Sequence, residues 1–198
     1  MTKKKIISII LIVLVILLLI GSFFAYQKFF KKENVAKIEA PVEKNYFEIN
    51  DETIGVAFHV SKNFERMAGQ ELQLKNPAFV YGFTAKSDKT AYCVLSQTKR
   101  DKPGAMKATD LRDGVLDAVK KSFPDVSLDA EEIVIVGDNN NGIKLSMNYT
   151  DNKIPTIQQE VVGITDKNAT FVFCTTPKAV IDLYKDNFSL FLDSVRIK

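Results

Sequence analysis

The stretch that decides the fold is residues 142–176, "GIKLSMNYTDNKIPTIQQEVVGITDKNATFVFCTT". Its first part, 142–150, alternates strictly between apolar and polar side chains, which is typical of a strand with one buried face. Segments 154–165 and 169–176 are similarly rich in β-branched and aromatic residues. The connections "TDNK" and "TDKN" are short and composed of turn residues, and short connections join antiparallel neighbours. The stretch therefore predicts an antiparallel meander.

Further strands are predicted on both sides of this meander. Alternation in "TIGVAFHVS" (53–61) indicates a strand, and "AFVYGFTA" (78–85) with "AYCVLSQT" (91–98) indicates a hairpin across the turn "KSDK". The segment "EIVIVGD" (132–138) is apolar on both faces, which favours a strand that is covered on both sides. A last strand is expected in "DSVRIK" (193–198), where it would tie down the C-terminus.

Two amphipathic helices complete the expected elements. Leu111 and Val115 begin a 3–4 apolar spacing after a capping Thr109, and Pro124 ends that helix. The second helix is expected to start with Thr176 as its cap and Pro177 at its first position. Two helices on an antiparallel sheet of roughly six to eight strands indicate an α/β fold of the α+β type, specifically an α/β/α sandwich built on a mainly antiparallel sheet.

The N-terminal part of the chain predicts a single transmembrane helix. Residues 6–26 are apolar except for Ser8, Gly21 and Ser22. A helix of that length spans roughly 30 Å, about one hydrocarbon core. Three regions follow: an anchor with basic flanks at 1–32, a polar linker at 33–45 and a soluble domain at 46–198.

A cleaved secretory signal is the alternative interpretation of this segment. Such signals have a shorter apolar stretch of about 7–15 residues and small residues at a cleavage site. Here the run continues into Phe23, Phe24 and Tyr26, which favours retention. Flanking lysines are nearly balanced, at positions 3–5 and at 28, 31 and 32. A short basic head before an apolar run favours a domain that lies outside the cytoplasm.

The soluble part and the N-terminal region differ in net charge. Eight of the 27 basic residues and three of the 24 acidic residues precede Asn45, which leaves 19 and 21, a net charge of −2. A domain without a basic excess lacks the main electrostatic contribution to nucleic-acid binding. We therefore expect no nucleic acid as a partner. The anchor, with the near-neutral domain, favours the membrane and another envelope protein as partners.

Over about 46–198 the chain resembles proteins of the PsbP-like (Mog/PsbP/DcrB-type) fold. The resemblance rests on "FHVSKNFE" (58–65), the late meander, the helix "PKAVIDLYKDNFSLFL" (177–192) and the closing "DSVRIK". Members often follow their first strand with Val-Pro-Lys-Gly-Trp, where this chain has "VSKNF" (60–64). Ser194 with Val195 fits the short final strand of the family.

This resemblance implies a fold and a broad kind of function. The fold includes photosystem accessory subunits, a binder of a small GTPase and periplasmic lipoproteins. It therefore implies an accessory or binding protein, mostly without catalytic activity, and it names no ligand.

Few residues could carry chemistry, and we expect no catalytic, cofactor-binding or metal-binding residues. His59 is the single histidine and reads as an ordinary strand residue. Cys93 and Cys174 both fall within predicted strands, where buried free thiols are expected. A nucleophilic pair between His59 and one cysteine is conceivable, although no local signature supports it.

Three further motifs have an ordinary structural interpretation. Asp110, Asp113 and Asp117 share one helix stripe, which favours a solvated face over a cation site. "GDNNNG" (137–142) departs from a calcium loop and instead predicts a hairpin turn at Asn141 and Gly142. The basic stretch "TKRDKPGAMK" (98–107) favours an exposed connector over a partner-docking loop.

The sequence thus favours a membrane-anchored, non-catalytic interaction or accessory domain of an envelope complex, displayed outside the cytoplasm. Two alternatives stay open. One is a membrane-tethered hydrolase with an unrecognised site, and the other is a small-ligand carrier.

The first prediction concerns the anchor. The full chain is expected to fractionate with membranes and to resist carbonate extraction, because residues 6–26 are long enough to span a bilayer. A chain shortened to begin at Val42 is expected to be soluble, monomeric and cooperatively folded. Aggregation or a non-cooperative melt of the shortened chain would contradict the assignment of 46–198 as an independent domain.

Overall fold

Ten strands and three α-helices make up the part of the chain that the structure describes. It is a computed structural model, and it describes residues 45–100, 108–137 and 141–198. The strands are β1 (Tyr46–Asp51), β2 (Val56–Ser61), β3 (Phe64–Arg66), β4 (Phe79–Ala85), β5 (Tyr92–Lys99), β6 (Ser127–Ile135), β7 (Asn141–Asp151), β8 (Ile154–Ile164), β9 (Asn168–Pro177) and β10 (Arg196–Ile197). The helices are α1 (Gly69–Lys75), α2 (Ala108–Ser122) and α3 (Ile181–Asp193).

The predicted anchor at 6–26 lies outside the described residues, as does the linker except for Asn45. The same is true of residues 101–107 in the basic stretch and of 138–140 in "GDNNNG". Among the residues that are described, no helix is both long and apolar enough to cross a membrane.

The meander is confirmed and forms the centre of a larger sheet. Seven strands pair in the order β3-β4-β5-β9-β8-β7-β6, with every neighbouring pair antiparallel. The turn between β7 and β8 consists of Asn152 and Lys153, whose φ angles are +48° and +70°. Positive φ at both central residues is what a two-residue type I′ hairpin turn requires. The prediction of a mainly antiparallel α+β fold is therefore correct.

Both faces of the seven-stranded sheet are covered. In β8, Val161 belongs to the core that contains α3, whereas its neighbour Val162 belongs to the core beneath α2. Side chains alternate between faces along a strand, so α2 and α3 contact opposite faces. On the α3 face, Phe58 of β2 packs against Phe191 with ring centroids 5.1 Å apart. We call these the α3 face and the α2 face.

A second, smaller sheet shares the α3 face. It has the order β1-β2-β10 within the described residues. The final strand was expected to join the main sheet, but β10 pairs with β2 instead. Val136 and Ile197 cover Gly163 of β8, where a Cβ atom would overlap both side chains. The expectation of a single sheet was thus wrong, because periodicity indicates where strands are but not which strands are neighbours.

The start of the last helix differs from the prediction. Thr176 and Pro177 continue β9, where they pair with Ile157 and Thr156 of β8. A 3₁₀ turn at Lys178–Val180 then leads into α3. A threonine followed by proline satisfies the capping pattern, but here the sheet pairing extends through both residues.

Two predictions around "EIVIVGD" were also wrong. The segment was expected to be covered on both sides, yet β6 is the last strand of the sheet among the residues that the structure describes, with Ile133 and Ile135 65 % and 72 % exposed. Asn141 and Gly142 do not form a turn but begin β7, where they pair with Ile135 and Val134. A Cβ atom on Gly142 would lie 2.6 Å from the Val162 carbonyl oxygen, which explains the glycine by close packing.

The prediction of two free thiols was wrong as well. Cys93 in β5 and Cys174 in β9 are bonded as a disulfide, with Cα atoms 4.0 Å apart. They lie directly opposite one another in the strand register, and both are buried. The sequence placed each cysteine in a strand but did not show that these two strands, far apart in the chain, are neighbours.

We predict that the disulfide contributes substantially to stability. Replacing both residues by alanine is expected to lower the free energy of unfolding by about 2–5 kcal/mol, because the bond closes a long loop in the unfolded chain. Chemical denaturation of the variant and the parent protein measures this difference. Denaturing alkylation without reductant is the control, and incorporation of two alkyl groups would contradict the bond.

Candidate functional site: a pocket at the sheet end and a buried carboxyl

A pocket opens at the end of the large sheet near the β7–β8 turn. It encloses about 280 Å³. Its walls come from the strand ends of β7, β8 and β9, the start of β5, the β4–β5 hairpin and the last residue of α1. The lining residues are Lys75, Lys89, Thr90, Tyr92, Asp151, Asn152, Ile154, Thr156, Thr175, Thr176 and Pro177.

The strand register explains why polar groups converge there. Tyr92, Thr175 and Gln158 are directly opposite one another on β5, β9 and β8. They form one row across the sheet, on the α2 face. Neighbouring residues of β8 on the same face, Thr156 and Glu160, are also buried and polar. A polar stripe therefore runs along β8 inside the protein.

Hydrogen bonds connect this stripe to the pocket wall. The Tyr149 hydroxyl donates to Gln158 Oε1 at 3.1 Å and lies 3.3 Å from Thr175 Oγ1. Gln158 Nε2 donates to Glu160 Oε2 at 2.9 Å. Thr175 also donates to the carbonyl oxygen of Ile157 at 3.1 Å. Because Thr175 lines the pocket, a continuous polar chain leads from the pocket to the Glu160 carboxyl.

Glu160 is the most perturbed acid in the described structure. Its side chain is buried among apolar neighbours, with Leu145 and Phe173 directly opposite on the adjacent strands. Burial raises the pKa of Glu160 to about 7, and the hydrogen bond from Gln158 opposes this only in part. Near neutral pH the carboxyl therefore titrates, which is unusual for a group inside a sheet protein.

The pocket mouth carries charges of both signs. Lys75 Nζ lies 4.1 Å from the centre of the Tyr92 ring, within cation–π range. Lys89 pairs with Glu65, and Asp151 contributes a carboxylate on the other side. Burial is the main cause that raises the pKa of Tyr92 to about 12, so its hydroxyl stays protonated. The arrangement can bind a small polar ligand through hydroxyl, amide and ammonium groups.

The single histidine is not part of this pocket. His59 lies in β2 of the small sheet, and its ring stacks on Tyr46 at a centroid distance of 4.4 Å. Its backbone N–H donates to Ser194 Oγ at 2.8 Å, and Ser194 in turn donates to the Phe191 carbonyl at 3.0 Å. Ser194 thus fastens the end of α3 to β2. The hypothetical nucleophilic pair of histidine and cysteine was wrong, because both sulfurs are consumed in the disulfide.

The acidic stripe is exposed, as predicted. Asp110, Asp113 and Asp117 are all exposed on α2, and Asp113 pairs with Arg112 at 2.8 Å. Among the described residues, no three histidine, cysteine, aspartate or glutamate side chains are grouped as metal ligands would be. Sequence reasoning missed the buried, hydrogen-bonded group of Tyr149, Gln158 and Glu160, because polar residues that alternate along a strand normally face solvent.

Similarity to solved structures confirms the PsbP-like fold that the resemblance predicted. The solution structure of cyanobacterial PsbP (CyanoP) from Synechocystis sp. PCC 6803 matches with a TM-score of 0.58 and 14% identity, over 78% of this chain and 93% of that one.

Two further solved structures share the fold. LpqN of Mycobacterium tuberculosis, involved in cell envelope biogenesis, matches with a TM-score of 0.52 and 13% identity over 77% of this chain and 90% of its own. A protein of Bacteroides thetaiotaomicron matches with a TM-score of 0.50 and 8% identity, over 78% of this chain and 49% of its own. No protein-family model and no curated protein matches the sequence.

We predict that Glu160 makes stability fall as pH rises. Its pKa is about 7 in the folded chain against an ordinary value of 4.5, so between these values the folded state binds more protons than the unfolded state. Its stabilisation is therefore complete below pH 4.5 and is lost as pH rises through 7, by on the order of 3 kcal/mol.

Glu160→Gln is expected to remove this pH dependence, because an amide does not titrate and can still accept the hydrogen bond from Gln158. Urea denaturation between pH 4.5 and 8 measures the difference between the two proteins. Glu132→Gln, at an exposed carboxylate, is the matched control. Parallel pH profiles for Glu160→Gln and the parent protein would contradict the buried, titrating carboxyl.

Proposed function

We propose that this protein is an exported accessory domain, tethered to a membrane by residues 6–26, that acts by binding and not by catalysis. The observation that carries the proposal is the buried Cys93–Cys174 disulfide in the middle of the sheet. Structural disulfides form and persist in oxidising compartments and are rare in the cytosol. The disulfide therefore supports a domain outside the cytoplasm, independently of the flanking lysines, which are nearly balanced.

The fold and the anchor segment support the same proposal. LpqN, which shares the fold, is described as involved in cell envelope biogenesis, and cyanobacterial PsbP shares it too. Fold alone does not determine activity, so these likenesses support the class of function and not a particular partner. A polar linker of about a dozen residues would place the domain close to the membrane surface.

A small-ligand carrier is the second candidate, and the pocket at the sheet end favours it. About 280 Å³ suits a small polar molecule, just below the range of drug-sized sites. A tethered hydrolase has less support, because neither cysteine has a free thiol and His59 packs against Tyr46.

We predict that the domain is accessible and oxidised in cells. Protease added to intact cells with their outer layers opened is expected to remove the domain and to spare a cytoplasmic marker. Cells are also quenched in acid, and the denatured protein is alkylated without reductant, which is expected to leave Cys93 and Cys174 unmodified because both sulfurs are bonded. A domain that stays membrane-bound, survives protease and becomes alkylated at both cysteines would place it in the cytoplasm and overturn the proposal.

A further inference from the structure

Strand β6 is a long open edge of the large sheet. Within the described residues it pairs with β7 alone, and the sheet order ends there. The opposite edge, β3, has only three residues, whereas β6 has nine. An edge strand presents a row of unpaired backbone N–H and C=O groups, which proteins usually protect by short length, lysine, proline or a bulge.

Only the first part of β6 is protected in this way. The register with β7 shifts between Leu128 and Ala130, which marks a bulge. From 130 to 135 the pairing with β7 is regular, and this half contains neither lysine nor proline. Six regular residues are roughly the usual length of a strand, so this half can accept a further strand.

The same half carries exposed aliphatic side chains. Ile133 and Ile135 lie opposite Ile143 and Asn141, on the α2 face, and are 65 % and 72 % exposed. Leu128 on the same face is 38 % exposed. They continue the apolar row under α2 out to the sheet edge. Exposed aliphatic residues on an open edge strand mark a surface for pairing with another chain.

The charges around this edge favour a partner with basic residues. Carboxylates are in excess, with five against three basic groups. The acids are Asp113, Asp117, Asp129, Glu131 and Glu132, and the bases are Arg112, Lys120 and Lys144. Lys144 is paired with Asp193 at 2.5 Å, and Arg112 with Asp113 and Glu131. Outside these pairs, Asp117, Asp129 and Glu132 stand against Lys120. The acidic stripe of α2 adjoins β6, since Asp113 and Asp117 line a groove of about 430 Å³ that also includes Leu128.

This acidity disfavours a second copy of the chain as the partner. Two β6 strands paired antiparallel would bring Asp129, Glu131 and Glu132 of one copy near the same residues of the other. Like charges on directly paired strands are destabilising. A strand with basic residues would instead gain from the same field.

We propose that residues 130–135 of β6 accept an extended segment of a partner protein as an additional strand, and that this segment alternates aliphatic with lysine or arginine residues. Its aliphatic side chains pack on Ile133 and Ile135 on the α2 face, and its basic side chains lie on the opposite face beside Glu132, which is paired with Lys144 in the strand register. Backbone pairing supplies affinity and the side chains supply specificity. The inference rests on the proposed binding function and names its partner chemistry.

Selection from a phage library of random nine-residue peptides tests this inference. The full chain in detergent micelles is the bait, and the double variant Ile133→Lys/Ile135→Lys serves for counter-selection. Peptides that bind the parent chain are expected to share the alternating aliphatic and basic pattern. Their affinity should fall at least about tenfold in the variant, and amide hydrogen exchange should slow in 130–135.

Leu74→Lys/Leu183→Lys is the matched control, because these leucines are 88 % and 72 % exposed on other surfaces. It should leave peptide binding unchanged, and both variants should keep the parent melting temperature. Acidic or proline-rich selected peptides, protection elsewhere, or a dimer that the isoleucine variant dissociates would overturn the inference. The inference would also be overturned if methylation of every central backbone amide nitrogen left the affinity of the peptides unchanged. These outcomes concern β6 alone, and the protease and alkylation test of cellular location stands separately.

Discussion

The rest of the structure depends on the double burial of the central strands β5, β9 and β8. Their side chains are apolar or buried on both sides, as Val161 and Val162 show within two consecutive residues. A sheet with two apolar faces cannot be covered by helices on one side alone. The small sheet and α3 cover one face of the large sheet, and α1 and α2 cover the other. Gly82 illustrates how closely they fit, since a Cβ atom there would overlap Leu72 of α1.

The polar row on β8 is the exception to this apolar centre. Burying Gln158 and Glu160 costs free energy unless each group has a hydrogen-bond partner. Tyr149 donates to Gln158, and Gln158 donates to Glu160. Thr175, beside the Tyr149 hydroxyl, connects the row to a pocket at the sheet end. A buried polar chain that ends at a pocket is more easily explained by binding than by stability. The strand that bears this cost, β8, pairs with β9, which the disulfide joins to β5.

Much of the fold could be predicted from the sequence, because its signals are local. The alternation in 142–150 and the turn residues around Asn152 determine the meander, and the 3–4 spacing from Leu111 determines α2. What could not be predicted depends on contacts between distant residues. Periodicity did not reveal that β5 adjoins β9, and so the disulfide was missed. Nor did it show that β6 is an edge, because an apolar strand looks the same whether it is covered or open.

The candidate site was harder to predict for a similar reason. Thr156, Gln158 and Glu160 alternate with apolar residues, and such a pattern ordinarily indicates a solvent-facing side. Only the packing of α1 and α2 over that face makes it an interior. Thr176 and Pro177 illustrate a different error. Their sequence is a strong local signal for the start of a helix, but both residues pair with β8 and extend β9 instead.

The disulfide also divides the molecule mechanically. Cys93 and Cys174 are 81 positions apart, so α2, β6, β7 and β8 lie inside one covalent loop, while β1 to β4, α1, α3 and β10 lie outside it. Tension applied between the two ends of the domain would pass through the sulfur–sulfur bond and bypass everything within the loop. The elements outside the loop could be pulled away while the chain between the cysteines carried no load. The pocket walls on β7 and β8 and the edge strand β6 would in this way be shielded from tension along the chain.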